Sequence, residues 1–382
     1  MLAAVPVIMA VSPATIGVVV SLYALAWLAI QHRPLASIVV WKAPMFLLVL
    51  GVALLGSLSA AWAIDGALAL NKALKFALVC LPLVWVAVLL VALDKSVTTN
   101  AKTLLLGCLL GALLLAVQTF GNVVLRSIIT GALAVPPAIK TNVPAAALAI
   151  LAWLIPQLCA ELSRPWRVLG GITLVVIASA VFAGDGMAPR LAFVVGGITF
   201  WCARLKPRLC ALGLAAGVML THGLAPQLLS LPILTDGIAD HSLQHRVDVW
   251  ALVGDLIAER PLLGFGFSNS GKIPAQAGIL PLTGMPRVIP MYPHNVLLQV
   301  QLELGLPGLV FFYACLGYLL WRLMDYPPTA RAAGLALIAA ALSIWCVGYP
   351  LWRSTWLAWL IFAAIALNAT VPVLASRACR ES

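Results

Sequence analysis

Charge is what this sequence has least of. Charged residues fill 9% of its 382 positions and hydrophobic ones 63%. A soluble domain of this length cannot cover its surface with so few polar groups. Short segments of alternating hydrophobicity are also missing, which argues against a membrane β-barrel. The first 30 residues carry no basic leader, and Ser12-Pro13 breaks their apolar run, so they fit a cleaved signal peptide poorly. No cysteine falls in the longest polar stretch, 224–293. Cys80, Cys108, Cys159, Cys202, Cys210, Cys315, Cys346 and Cys379 therefore read as small core residues rather than disulfide or zinc partners. There is no repeat of fixed period, no low-complexity linker and no soluble basic module, so nucleic acid is not an expected partner.

What is present is apolar sequence long enough to cross a bilayer many times. Spans are predicted near 2–12, 14–30, 43–60, 76–93, 103–125, 143–160, 168–183, 190–203, 209–223, 294–321, 332–348 and 355–375. The first two count as one if the Ser12-Pro13 break does not separate them. The expected fold is an all-α polytopic membrane protein of about twelve transmembrane helices. Its regions are an N-terminal bundle (1–223), a loop region (224–293) and C-terminal helices (294–382).

Basic residues set an orientation. Arg33, Lys42, Lys95, Lys102, Arg164, Arg167, Arg204, Lys206, Arg208, Arg322 and Arg331 fall in one set of alternate loops, and Arg377 and Arg380 in the tail. That set reads as cytoplasmic, which puts 224–293 on the external face. Lys72, Lys75, Arg126, Lys140, Arg190, Arg246, Arg260, Lys272, Arg287 and Arg353 then face outward, more than the rule expects. A polyanionic ligand would account for the excess within a net charge of +11.

Within the loop, Asp240 to Arg260 has helical spacing. Leu243, Val247, Trp250, Val253 and Ile257 share one face, with Asp248, Asp255 and Glu259 elsewhere. Pro261 ends that helix. Residues 261–293 hold eleven Gly or Pro, which predicts ordered loop. Pro261-Leu-Leu-Gly-Phe-Gly266 permits close approach to a ligand or another helix, but lacks the context of a dinucleotide fingerprint.

His294 opens an apolar helix at the end of this loop. It reads either as a helix-start residue bonded to local backbone or as a general base, since imidazole accepts protons near neutral pH. Arg190 follows a short Gly-rich loop, as an interfacial anchor or a ligand-facing guanidinium. Arg246 sits one turn before Trp250, either paired with a nearby Asp or gripping phosphate oxygens in a planar fork. Lys72 and Lys75 share a helix face and read first as interfacial lysines; with Arg287 they are further candidates for substrate contact. Glu303 lies in an apolar span, where an ionised carboxylate costs ~2.5–3.5 kcal/mol, so it is paired, protonated or near the break at Gly305-Leu-Pro-Gly308, and a structural hydrogen-bond role is expected. The best metal-ligand cluster is Asp236, Asp240, His241 and His245, which lacks convergent carboxylates beyond Asp65 and Asp185; no metal or cofactor is expected. No nucleophile-elbow motif occurs.

These residues occur in a recognisable order. Arg190 opens a span; Arg246-x-x-x-Trp250 precedes Pro261-Leu-Leu-Gly264-Phe-Gly266; His294-Asn295-x-x-Leu298 precedes Glu303-x-Gly305-x-x-Gly308. The pattern resembles the O-antigen ligase and polymerase superfamily of bacterial envelope glycosyltransferases, in motif over about 180–310 and in hydropathy throughout. The resemblance implies a C-type glycosyltransferase fold in the inner membrane, with a periplasmic site. It implies a glycan donor on undecaprenyl diphosphate and, for a ligase, a lipid A–core oligosaccharide acceptor. Metal-free, inverting transfer is implied, with His294 as the loop histidine and Arg190 and Arg246 as the two arginines. Pro189-Arg190 stands where Ser-Arg is usual. Within the superfamily, O-antigen polymerase and protein O-oligosaccharyltransferase share the pattern. Outside it, a transporter of anionic lipids or glycans would use the same arginines, though no paired broken repeats support one. A purely structural scaffold leaves His294 among so many arginines unexplained.

Overall fold

In a bilayer every backbone N–H and C=O must find its partner inside the protein, and the apolar runs answer with helices. The computed structural model describes residues 2–31, 44–92, 96–121, 137–160, 162–223 and 241–371. The described helices are α1 (Ala4–Val11), α2 (Ile16–Gln31), α3 (Pro44–Leu58), α4 (Gly66–Ala92), α5 (Val97–Phe120), α6 (Pro137–Ala152) and α7 (Ile155–Ala160). They continue with α8 (Arg164–Ala183), α9 (Met187–Leu205), α10 (Pro207–Gly223), α11 (His241–Glu259), α12 (Val296–Leu323), α13 (Pro328–Val347) and α14 (Ser354–Ala369). Among the described residues there is no strand, only an isolated bridge between Ile279 and Pro286. The chain is an all-α polytopic membrane protein. Six helices among the described residues are long and apolar enough to cross a membrane, and Thr141–Ala152 and Ser354–Ala369 are shorter apolar helices. Arg33, Lys42, Lys95, Arg126, Asp236, Asp240, Arg377, Cys379 and Arg380 lie outside the described residues.

Each predicted span coincides with a helix, but several boundaries move. α4 begins ten residues before the predicted 76, because Asp65 accepts the Leu68 N–H (2.9 Å) and caps a helix-forming run. Lys72 and Lys75 thus ride on a transmembrane helix and not on a loop. The span predicted at 143–160 divides into α6 and α7, since Pro156 has no N–H to give the Ala152 carbonyl. α12 breaks at Gly305, which has φ 60° and ψ −151°. Cys202, expected in the core, is exposed.

Helices in lipid gain little from burying apolar surface against one another, so close packing decides. Gly107 and Gly111, one turn apart on α5, face the backbone of α1. A Cβ at Gly107 would lie 2.5 Å from the Ala3 carbonyl oxygen, and one at Gly111 2.8 Å from that of Pro6. On α9, a Cβ at Gly197 would lie 2.6 Å from the Trp153 ring, whose Nε1 donates to the Phe193 carbonyl (2.9 Å). The main core joins the alanine-rich faces of α6 and α13 to Trp356, Trp359 and Phe362 of α14. Outward faces carry Leu54, Leu78, Leu106, Val175 and Ile198, all exposed, as lipid contact requires.

Segment 241–295 forms a cap at one end of this bundle. Val247, Trp250 and Val253 of α11 are buried as their spacing predicts, whereas Leu243 is 40% exposed. Asp248, expected off the buried face, is 3% exposed. Its carboxylate accepts the N–H groups of Leu282 (3.1 Å) and Thr283 (2.9 Å) and the Thr283 hydroxyl (2.8 Å), which folds the Gly-rich loop back onto α11.

Candidate active site

α12 starts with Asn295 as its cap; the side-chain oxygen accepts the N–H groups of Leu297 (3.0 Å) and Leu298 (3.3 Å). One residue earlier, His294 has φ 56°, a left-handed conformation that a Cβ disfavours. Such a conformation persists only where the surroundings fix it. Trp250 Nε1 donates to the Pro293 carbonyl (2.8 Å), and the Tyr292 ring stands 4.4 Å from the imidazole. His294 Nδ1 lies 3.1 Å from the Gly348 carbonyl oxygen. A carbonyl only accepts, so Nδ1 carries the hydrogen and the neutral ring keeps its lone pair on Nε2. The partner is a turn 54 residues away, not the local backbone of the simpler expectation.

Burial pushes the His294 imidazole below its ordinary range. The Gly348 bond opposes this, and the nearby charges of Arg246 and His245 add to it. The ring is therefore held neutral near pH 7, the form that accepts a proton. Burial also raises the Tyr292 phenol, against the pull of Arg353 and Arg246. Tyr292 donates to the same Gly348 carbonyl (2.9 Å).

Arg246 reaches the adjoining peptide. Its Nε donates to the Val347 carbonyl (3.0 Å), and Nη1 donates to the Ser242 carbonyl (3.0 Å) and hydroxyl (2.7 Å). Among the described residues Arg246 pairs with no Asp; Asp248 is taken up by the 282–283 loop. Arg190 stands in the first turn of α9, beside the same turn: a Cβ at Gly348 would lie 3.5 Å from the Ala188 Cβ. Arg190 Nη2 donates to the Gly184 carbonyl (2.5 Å), and its Nε is buried without a partner among the described residues. Gly186 lets that loop close against α6, where a Cβ would meet Asn142 Oδ1 at 2.5 Å. The structure thus brings His294 and Arg246 to adjoining carbonyls at the end of α13, with Ala188 of the Arg190 turn beside them and the Arg190 guanidinium on the Gly184 carbonyl.

The other candidates fall elsewhere. Lys72 and Lys75 are exposed on α4. Arg287 pairs with Asp255 (3.0 Å) and bonds Gln276 (3.3 Å), pinning the loop to α11. Asp65 pairs with Lys272 (3.5 Å). Among the described residues no three His, Cys, Asp or Glu side chains stand together as metal ligands.

The two Gly-containing motifs form one unit. Where α12 breaks, the carbonyls of Leu302 and Glu303 are taken by the N–H groups of Phe265 (2.8 Å) and Gly266 (2.8 Å), and the Leu306 N–H goes to the Pro261 carbonyl (3.2 Å). Gly264 (φ 68°) and Gly305 (φ 60°) permit the approach; a Cβ at Gly264 would lie 2.6 Å from the Leu302 oxygen. Gly-Phe-Gly therefore approaches a helix, the second of its two sequence readings. Glu303, 1% exposed, accepts from the Ser268 N–H, the Ser270 hydroxyl, Gln299 Nε2 and Trp352 Nε1.

Comparison with known proteins adds a direction. No protein-family model matches the chain. It is 30% identical over 196 residues to a Rickettsia felis protein named "Putative polysaccharide ligase", covering 49% of this chain and 48% of that protein. A Rickettsia bellii protein of the same name is 29% identical over 234 residues, 59% of this chain and 57% of that one. The chain resembles bacterial polysaccharide ligases. It spans about half the length of the curated relatives it matches.

Sequence reasoning missed what holds these side chains. The acceptors are the Val347 and Gly348 carbonyls, which no residue type announces. Tyr292 also passed unnoticed beside its better-marked neighbour, and His245 was weighed only as a metal ligand. The signal for Trp250 was available: a tryptophan in a buried stripe needs an acceptor for its N–H.

Proposed function

We propose that this protein is a membrane glycan ligase. In this reading it transfers a glycan from undecaprenyl diphosphate to a hydroxyl of a lipid A–core oligosaccharide, as an O-antigen ligase does. The observation that carries the reading is the half-buried His294, its Nδ1 committed to Gly348 and its Nε2 left as a base, with Arg246 on the neighbouring carbonyl. The polysaccharide-ligase names of the relatives and the excess of arginines support it.

The acceptor hydroxyl gives its proton to His294 Nε2 as its oxygen bonds to the anomeric carbon. The bond from that carbon to the diphosphate oxygen breaks, and the electron pair leaves with the diphosphate. Arg190 and Arg246 supply fixed positive charge to the departing anion, so neither a general acid nor a metal is required. A single displacement of this kind inverts the anomeric centre. The polyprenyl chain would lie against apolar helix faces, among membrane lipids. The positive-inside bias supports an inner-membrane protein with this end in the periplasm.

The test is transfer by purified protein, with chelator present, from defined lipid-linked glycan, with and without lipid A–core. Product on lipid A–core is expected. Elongation of the lipid-linked glycan alone would make the protein a polymerase, and product on protein would make it an oligosaccharyltransferase. Movement of the donor across vesicles without covalent transfer would make it a transporter. Activity abolished by chelator and restored by magnesium or manganese would overturn the metal-free step.

A further inference from the structure

We propose that Glu303 and Trp352 are positioning residues for His294, acting through the turn 348–353; this rests on His294 being the base. Glu303 and His294 belong to one rigid piece, nine residues apart across the start of α12. Their partners belong to another piece, the turn between α13 and α14. Glu303 Oε2 accepts Trp352 Nε1–H at 2.5 Å, and Gln299, itself bonded to Glu303 at 3.2 Å, accepts the Leu351 N–H at 3.0 Å. Four residues before Trp352, the Gly348 carbonyl accepts His294 at 3.1 Å and Tyr292 at 2.9 Å. The bonds make a closed circuit: α12 grips the turn at one end through Glu303 and Gln299, and the turn orients the imidazole at the other.

A purely structural contact at this depth would be met at lower cost by apolar side chains. A carboxylate with four donors instead fixes direction as well as distance, because each bond constrains an angle. What it fixes is the turn that supplies the acceptor for His294 Nδ1–H. That acceptor selects the tautomer with Nε2 free, and it raises the basicity of a ring that burial depresses. The other groups facing the ring are Tyr292 on its own loop and Arg246 and His245 on α11. Changing Glu303 or Trp352 replaces none of these side chains, although Tyr292 and Arg246 also bond the turn, at Gly348 and Val347.

The decisive variant is Trp352→Phe in the full-length protein. It removes the indole N–H but keeps a ring to pack on Phe267 and Phe76, whose centroids lie 4.3 Å and 5.9 Å away. Glu303→Gln is the companion, with similar shape but one acceptor replaced by a donor. Imidazole 15N signals are titrated in detergent, and that of His294 is assigned by its loss in His294→Ala. With either variant the His294 midpoint should move to lower pH and the share of Nδ1–H tautomer should fall. In the transfer assay kcat should drop roughly tenfold to a hundredfold, as for a catalytic group displaced by about 1 Å, with KM for the lipid-linked donor nearly unchanged. A folded Trp352→Phe protein with the wild-type His294 titration and wild-type kcat would overturn the proposal. The nuclear readout does not depend on transfer, so the brace is tested even if His294→Ala proves active and the base reading falls.

Discussion

Where α1 meets α5, two glycines bring backbones together and one side chain, Gln118, reaches the Ala10 carbonyl (2.8 Å), so the contact specifies mainly distance. Where α12 meets the 348–353 turn, Glu303, Gln299, His294 and Tyr292 specify direction as well. The first arrangement suits lipid, in which steric fit is the means of choosing a partner. The second suits a reacting centre, where a base must point at a particular proton. One chain uses both, and the change from one to the other follows position in the fold, not composition.

The sharpest way to separate the two regions is to remove chemistry without touching packing. His294→Ala should lower transfer ~10²–10⁴-fold, the range for losing a general base. Its thermal unfolding should stay close to wild type and its binding of lipid diphosphate should survive. Wild-type transfer rates would reduce His294 to a helix-start residue.

The converse is Gly111→Leu. The added side chain must displace the Pro6 backbone, and overpacking of this kind costs ~1–3 kcal/mol. Detergent-solubilised protein should melt several degrees lower, while the pH dependence of the remaining activity stays put. A shifted pH profile would mean that the two regions are coupled.

A third measurement concerns pH alone. Since His294 is held below its ordinary value of about 6.5, the acid limb of kcat/KM should lie under that pH. The same group makes the fold acid-sensitive. As pH falls through about 6.5 the unfolded chain takes up the proton first, so stability declines until the lower folded value is passed. An acid limb above pH 7 would contradict the environment described for the ring.

The smallest effect is expected at Arg287. Its pairing with the largely exposed Asp255 contributes at most ~1 kcal/mol, so Arg287→Gln should barely change melting. If it instead raises KM for donor or acceptor, the residue touches substrate, as its sequence position also allowed.

Hydropathy made the helices legible, because each run had to satisfy its own backbone. It missed the ends wherever a polar residue sits on a helix, as Lys72 and Lys75 do on α4. It also missed the division at Pro156, where one absent N–H outweighs a continuous apolar run. His294, Arg190 and Arg246 were legible as residue types out of place in an apolar chain. A shared site could be expected from them, but not the end of α13 as the place where His294 and Arg246 meet, since backbone carbonyls carry no identity in sequence. Asp248 and Arg287 show the opposite failure: charge read as surface or ligand capacity was already committed to folding the loop.

The joint between Gly264 and Gly305 has a consequence for how the chain is made. The segment that fills the break in α12 precedes that helix in the sequence, so the plug leaves the ribosome before the socket. When Leu302 and Glu303 emerge, the amides of Phe265 and Gly266 have already been synthesised and need only fold back to meet them. The interrupted helix need not wait for later helices before its exposed carbonyls are covered.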